Sequence, residues 1–200
     1  MNPEKRIVTQ WLNTHGFFTV SDINAGRNRV IDSIAIRRSE KGDIVWHVEV
    51  AASISQATPT KQQVEELEKR FHEPVVEKTM QRKVRELLGK DLPYQNVLVT
   101  TARGVRLKEI EIVKFDEVLV DTVKKLDRQN YGDPVTRSLQ LVKFLMLSNP
   151  KTLAKMLVTD FFTLRKSRRF VRAIESLNPK KVVKKLALPK EKTLDLFFKK

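Results

Sequence analysis

The chain has 200 residues, of which 40% are hydrophobic, and it contains no cysteine. This length and apolar content are enough for one domain with a hydrophobic core and a smaller appendage. The absence of cysteine excludes disulfides, thiolate nucleophiles and cysteine-based zinc sites, and the three histidines are too scattered to form a metal site. Any metal ion would therefore bind to carboxylates.

The sequence shows no pattern typical of a membrane-spanning helix or of a secretory signal. No stretch is both long and apolar enough to span a membrane, and the opening residues, MNPEKR, lack the apolar core of a secretory signal. We therefore expect a cytoplasmic protein without a membrane partner.

The formal net charge is +15, and it is concentrated in one part of the chain. Residues 1–136 contain 22 Lys and Arg against 20 Asp and Glu, whereas residues 137–200 contain 17 against 4. A surface charged for solubility or heat resistance usually mixes both signs. Clustering of one sign instead favours a polyanionic partner.

The first part of the chain predicts a helix followed by three strands. PEKRIVTQWLNTHG has apolar residues at helical spacing between Pro3 and Gly16. FFTVSDI and VIDSIAIRR then read as strands, and EKGD forms a hairpin turn into IVWHVEVAAS. This last segment is apolar on both faces, which is typical of a central strand.

The next part predicts helices and a further strand. TPTKQQVEELEKRF and VVEKTMQRKVRELLG are helical, with Thr and Pro at the start and Gly89 as the stop, and NVLVTT is a short buried strand. RLKEIEIV and FDEVLVDTVKKL each fit either a helix or a strand. The order of elements predicts an α/β fold with a mixed sheet flanked by helices.

Beyond the linker NYGDP, every pattern is helical. VTRSLQLVKFLML, PKTLAKMLVTDFFTL, KSRRFVRAIESL and PKKVVKKLAL are separated by Asn149-Pro150 and Asn178-Pro179, each an Asn cap before a Pro at the first helical position. We therefore predict an α/β domain over residues 1–132, a small basic all-α domain over 133–188 and a tail over 189–200.

Asp32 and Glu49 are carboxylates flanked by apolar residues on adjacent predicted strands. Burying two anions without a cation is costly, and Mg²⁺ prefers carboxylate oxygens while keeping several waters. A bound Mg²⁺ would polarise a phosphoryl oxygen and supply hydroxide for phosphodiester hydrolysis. In the alternative interpretation the carboxylates pair with arginines such as Arg27, Arg29 or Arg37, or end their strands in water.

Glu4 on the first helix, Asp32, Glu49 and the Gly16-Phe17 turn resemble the PD-(D/E)XK nucleases, in particular the archaeal junction resolvases and Mrr-type enzymes. The resemblance covers residues 1–100 and implies a restriction-endonuclease-like fold. It also implies that Asp32 and Glu49 bind Mg²⁺, for which Mn²⁺ substitutes, and that Glu4 supports the metal or its water. Such folds often dimerise, which leaves a homodimer open.

Ala51 departs from that family, because it stands where the E-x-K motif has its lysine. Lys61, at the start of the following helix, is one candidate to replace the lysine by reaching back over the sheet. His47 is another, although a single histidine on an apolar strand is usually part of the core. Otherwise the site is inactive, because hydrolysis without a positive group loses strong electrostatic stabilisation, and the fold persists as a DNA-binding body.

Basic side chains project from an apolar base in two of the C-terminal segments. They are Arg165, Lys166, Arg168, Arg169 and Arg172 in LRKSRRFVRAI, and Lys180, Lys181, Lys184 and Lys185 in PKKVVKKLALPK. Such a surface binds DNA phosphates without reading bases, and its affinity falls as salt rises. Anionic membrane is a weaker alternative. Sequence-specific regulation of transcription is disfavoured because the segment KSRRFVRAIESL has few base-reading side chains.

The tail EKTLDLFFKK has Leu194, Phe197 and Phe198 on one side of a single helical turn. It resembles the Q-x-x-h-x-x-a-a peptide by which DNA replication and repair proteins bind the sliding clamp, with Glu191 in place of Gln. The resemblance implies the clamp as a partner and an archaeal or eukaryotic lineage. The alternative is that this turn packs on the protein's own core.

Two classes of function remain. In one, the protein is a Mg²⁺-dependent, structure-selective DNA endonuclease delivered by the clamp, with Lys61 as a relocated lysine. In the other, it is a nuclease-like DNA-binding protein of repair or replication that does not cut. Ala51 favours the second class.

Overall fold

The computed structural model describes residues 2–149 and 151, except 27, 41 and 54–57. The basic residues from Arg165 to Lys185 and the clamp-binding residues Glu191, Leu194, Phe197 and Phe198 lie outside this described part. Among the described helices, none has the length and apolar character needed to cross a bilayer.

The described chain alternates helices and strands as an α/β fold. Its elements are α1 (Pro3–Thr14), β1 (Phe18–Gly26), β2 (Arg29–Arg37), β3 (Ile44–Ala51), α2 (Lys61–His72), α3 (Pro74–Leu88), β4 (Gln95–Thr100), β5 (Ile110–Lys114), α4 (Phe115–Lys125) and α5 (Pro134–Ser148). The predicted α/β class is therefore confirmed. The segment that fitted either a helix or a strand contains one of each, with the change at Lys114 and Phe115.

The five strands form one mixed sheet in the order β1-β2-β3-β4-β5. β1, β2 and β3 are antiparallel neighbours, whereas β3, β4 and β5 run parallel. The parallel connection from β3 to β4 requires a crossover, which α2 and α3 supply. β3 is the central strand, as its apolar character on both faces predicted.

The helix ends follow the signals in the sequence. Asn2 accepts a hydrogen bond from the Lys5 N–H before Pro3, and Thr60 and Gln63 form a reciprocal capping box at the start of α2. Gly89 ends α3 with φ +70°, a left-handed conformation that favours glycine.

Side chains alternate along β3 between two helical layers. Val48 and Val50 belong to a buried cluster with residues of α1 and α4, against which Val135 and Leu139 of α5 also pack. Val45 belongs to a second cluster, with residues of α3. α2 contributes Leu67 and Phe71 to a third cluster with Leu98 of β4 and Ile110 of β5. The sheet thus lies between α1 and α4 on one face and α2 and α3 on the other.

Candidate functional site at the junction of two strands

Strands β2 and β3 separate where the two predicted metal ligands stand. Their ladder runs from Arg37 opposite Ile44 to Ser33 opposite Val48. Past that point β2 continues beside β1, and β3 continues beside β4, with Glu49 opposite Leu98. Asp32 and Glu49 are therefore the first residues beyond the last shared pair.

The regular alternation of β2 also breaks at Asp32. Ile31 and Ile34, three residues apart, both belong to the α3 cluster, although a regular strand would turn them to opposite faces. On β1, the residue between the partners of Ser33 and Ile31 is Asp22, whose φ is +55°. Such local irregularities re-aim a side chain, and here they mark the site.

Asp32 and Glu49 connect the diverging strands by reciprocal hydrogen bonds. The Asp32 N–H donates to Glu49 Oε1 at 3.2 Å, and the Val50 N–H donates to Asp32 Oδ2 at 2.8 Å. These side chains replace backbone acceptors that the separated ladder no longer offers. Both carboxylates are buried, with 7% and 3% of their side chains exposed. The predicted pair is thus brought to one place.

Lys5 of α1 supplies the cation for Asp32. Its Nζ contacts Asp32 Oδ1 directly and lies 3.6 Å from Asp22 Oδ1. Burial alone lowers the pKa of Lys5, but the hydrogen bond and charge of Asp32, helped by Asp22 and Glu49, outweigh burial and raise it. Lys5 is therefore held as an ammonium ion among acids.

Glu49 is surrounded differently. Its Oε1 lies 3.2 Å from His47 Nε2, and its Oε2 lies 3.9 Å from Arg70 Nη1 of α2. Burial raises the pKa of the Glu49 carboxyl; the His47 hydrogen bond opposes this rise and the charge of Asp32 adds to it. The ring of His47 is fully buried against Phe71, and its Nδ1 has no hydrogen-bond partner among the described residues.

Ala51 lies at the edge of an open cleft next to this pair. The cleft has a volume of about 500 Å³ and is bounded by the ends of β3 and β4 and by one side of α2. Its lining includes Ala51, Thr101, Gln62, Glu66 and Arg70. Arg70 extends from α2 into the same cleft.

The other predicted candidates lie elsewhere. Glu4 is half-buried in the first turn of α1 and Lys61 is exposed at the start of α2. Among the contacts of the described residues, none joins either side chain to the acid pair. Of the candidate arginines, Arg29 pairs with Glu73, and Arg37 stacks over Phe17 at 4.7 Å; Arg27 lies outside the described residues.

The arrangement of donors does not fit a magnesium ion. Mg²⁺ requires oxygens at about 2.0–2.1 Å in an octahedron, with several waters retained. Here each of the four carboxylate oxygens of Asp32 and Glu49 lies next to a donor group of the protein. Lys5 Nζ contacts one of them, Asp32 Oδ1, directly. Among the described residues, no three His, Asp or Glu side chains are grouped to hold a metal.

Sequence reasoning missed Lys5 and Arg70. Lys5 precedes Val8 and Leu12, two residues with almost no exposed surface, at helical spacing. A charged residue on the buried stripe of a helix is unusual and needs a partner, so this signal was present. Arg70 lies beside Phe71 and three residues after Leu67, both buried in α2, which likewise places it near the sheet.

No protein-family model and no curated protein matches the chain. Among solved structures, the protein of unknown function AF1548 is 14% identical, with 88% of this chain and 98% of that chain covered and a TM-score of 0.39. SPO1766, a protein of unknown function from Silicibacter pomeroyi, is 15% identical, with 82% and 97% covered and a TM-score of 0.28. Similarity at this level assigns no function to the chain.

Proposed function

We propose that the protein is a nuclease-like DNA-binding protein of DNA repair or replication that holds DNA without cutting it and is recruited by the sliding clamp. One observation carries the proposal that it does not cut. The buried acid pair is balanced by the protein's own cations, with Lys5 on Asp32 and Arg70 near Glu49. Phosphodiester hydrolysis needs a metal or another strong electrophile at the phosphate, and here the carboxylates are already engaged.

The architecture supports descent from a restriction-endonuclease-like fold. The acids stand where two strands of a mixed sheet separate, next to an open cleft. The two side chains accept from the Asp32 and Val50 N–H groups, a structural role that neutral amide side chains would fill without desolvating charge. An inherited site whose metal chemistry is lost accounts for their presence.

The charge distribution supports DNA as the partner. The 17 Lys and Arg of residues 137–200 face only 4 Asp and Glu, so their balance must come from outside the segment. In the part of the chain that forms the sheet and its helices, Arg70 adds a cation at the cleft, with 42% of its side chain exposed. Cations of this kind contact the phosphate backbone of any sequence.

A binding titration tests the DNA-binding part of this proposal. The full chain is titrated against fluorescently labelled branched, duplex and single-stranded DNA, and anisotropy is recorded at several salt concentrations. We expect binding to all three, with log K falling linearly as log salt rises. Absence of binding at low ionic strength would contradict the proposal.

A second function rests on Lys5. A lysine beside the carboxylate pair is what the family motif provides and position 51 lacks, and Lys5 Nζ contacts Asp32. For structure-selective cleavage Lys5 would have to move off Asp32, because the carboxylates as they are placed do not fit Mg²⁺. A metal held there would supply a Lewis acid and an activated water. DNA cleavage that disappears in Asp32→Asn would favour this function.

The tail has a separate test. Leu194, Phe197 and Phe198 match the three hydrophobic anchors of clamp-binding peptides, so we expect the full chain to bind an archaeal or eukaryotic sliding clamp. Replacing both phenylalanines with Ala should reduce affinity at least 100-fold, about 3 kcal/mol, because both are anchors. Isothermal titration measures this loss, and Lys199→Ala serves as the matched control. Equal affinity of the double variant would remove the clamp from the proposal.

A further inference from the structure

The ammonium group of Lys5 pairs with two acidic side chains and is attracted by a third. It contacts Asp32 directly, lies 3.6 Å from Asp22, and is attracted also by Glu49. Only 20% of its side chain is exposed. A divalent cation bound by these acids would need the same space, because it too must lie between their oxygens.

Helix packing fixes Lys5 in this position. Asn2 caps the first turn of α1 through the Lys5 N–H at 3.0 Å. Val8 and Leu12, on the same stripe as Lys5, are almost completely buried against the sheet. The packing of α1 against the sheet therefore places Lys5 beside the acids and restricts the backbone of Lys5.

The reciprocal hydrogen bonds between the strands fix the positions of the acids beside which Lys5 lies. They hold Asp32 and Glu49 across the gap between β2 and β3. With Asp22 on the neighbouring strand, two carboxylates contact Lys5, and Glu49 lies beyond Asp32, whose N–H it accepts. Like charges at such proximity need a cation between them.

We propose, building on the nuclease-like function above, that Lys5 is the protein's built-in replacement for a divalent metal ion. Its ammonium balances the acids of the junction and keeps divalent ions out. Removal of the lysine side chain leaves Asp32 and Asp22, the two carboxylates that it contacts, free to bind a divalent ion that keeps several waters. The wild-type protein keeps its fold without metal because this cation is covalently part of the chain.

Manganese binding tests the proposal, with free Mn²⁺ measured by electron paramagnetic resonance in titrations of the full chain. We expect Lys5→Ala to bind one Mn²⁺ at least tenfold more tightly than wild type. The double variant Lys5→Ala/Asp32→Asn should lose that gain. Lys90→Ala is the matched control, since it removes an exposed lysine that pairs with a single aspartate, Asp43, at 3.1 Å. It should bind Mn²⁺ as wild type does.

Thermal unfolding provides a second measurement, in case loss of Lys5 weakens the fold. Mn²⁺ should raise the Tm of Lys5→Ala, and of the more conservative Lys5→Gln, while leaving wild type unchanged, because an ion that binds only the folded state stabilises it. Tight Mn²⁺ binding by wild type would overturn the proposal. So would variants that gain no Mn²⁺ affinity, or unfolded variants that Mn²⁺ does not rescue.

Failure of this inference can be distinguished from failure of the proposed function. Metal binding is measured on variants of Lys5 without DNA, whereas DNA binding is measured on the wild-type chain without metal. A wild-type protein that binds DNA while Lys5→Ala gains no Mn²⁺ would overturn the role of Lys5 alone.

Discussion

Charges are balanced differently in the two parts of the chain. In the α/β unit, charged residues find partners within the fold, as Lys5 does with Asp32, Arg29 with Glu73 and Arg85 with Asp91. In residues 137–200, positive charge exceeds negative charge by far. Replacing a charged residue in the first part should therefore change the free energy of unfolding. Replacing one in residues 137–200 should instead change the affinity for DNA.

The largest effect is expected from the basic residues of the second part. Replacing Arg165, Lys166, Arg168, Arg169 and Arg172 with Gln should lower DNA affinity on the order of 100-fold and reduce the slope of log K against log salt by about 4. Anisotropy titrations measure both. The control replaces the same number of exposed Lys and Arg residues in the first part of the chain. An equal loss of DNA affinity there would contradict this division between the two parts.

Lys5→Met should destabilise the fold. It leaves Asp32 buried and without its cation, and such losses cost about 3–5 kcal/mol for fully buried pairs, so the partial exposure of Lys5 suggests about 2–3 kcal/mol. Urea unfolding measures the change. Lys90→Met, which removes an exposed lysine from Asp43, should cost less than about 1 kcal/mol. Equal losses in the two variants would show that the junction carries no special charge balance.

Glu49→Gln should change how stability depends on pH. Burial raises the pKa of Glu49 above its ordinary value of 4.5, so the ionised carboxylate disfavours the folded state. Well below pH 4.5 the group is protonated in both states and this penalty is absent. As pH rises from 4.5 towards the raised pKa, wild type should progressively lose stability relative to Glu49→Gln, and the difference should level off above that pKa.

Unfolding midpoints of wild type and Glu49→Gln, compared from acid to neutral pH, measure this divergence. The Gln side chain keeps an oxygen acceptor for the Asp32 N–H and a polar partner beside His47, so the comparison stays close to a change of charge alone. Parallel pH profiles would mean that Glu49 is not disfavoured as an anion.

Arg70→Gln should have the smallest effect on stability. Its ion pair with Glu49 is long, at 3.9 Å, and 42% of its side chain is exposed, so its loss should cost less than about 1 kcal/mol. Because Arg70 lines the cleft, the same variant should weaken DNA binding about threefold, through loss of one phosphate contact. Unchanged DNA affinity would restrict binding to the second part of the chain.

Most of the secondary structure followed from the sequence, since its signals are local. Apolar spacing, the Thr cap of α2 and the Gly89 stop of α3 act within a few residues of their own positions. The exception was the stretch that became β5 and α4. There Ile110 and Ile112 alternate as in a strand, while Phe115, Val118 and Thr122 follow with helical spacing, so one window contained both periods.

The candidate site was only half predictable. Asp32 and Glu49 stood out because carboxylates on apolar strands are rare, and the structure brings them together. Their cations were not identified, because Lys5 and Arg70 come from helices whose positions over the sheet are set by packing, which sequence spacing does not contain. Lys61 is positively charged and lies on α2, the helix that carries Arg70, but its side chain is exposed.

One measurement tests the central claim, that the acid pair is balanced internally and does not catalyse. Labelled branched DNA is incubated with excess wild-type protein in Mn²⁺ under conditions where all of it is bound, beside Asp32→Asn, and strand cleavage is followed over time. We predict that the DNA remains intact with both proteins. Cleavage by the wild-type protein that is absent from Asp32→Asn would contradict the account.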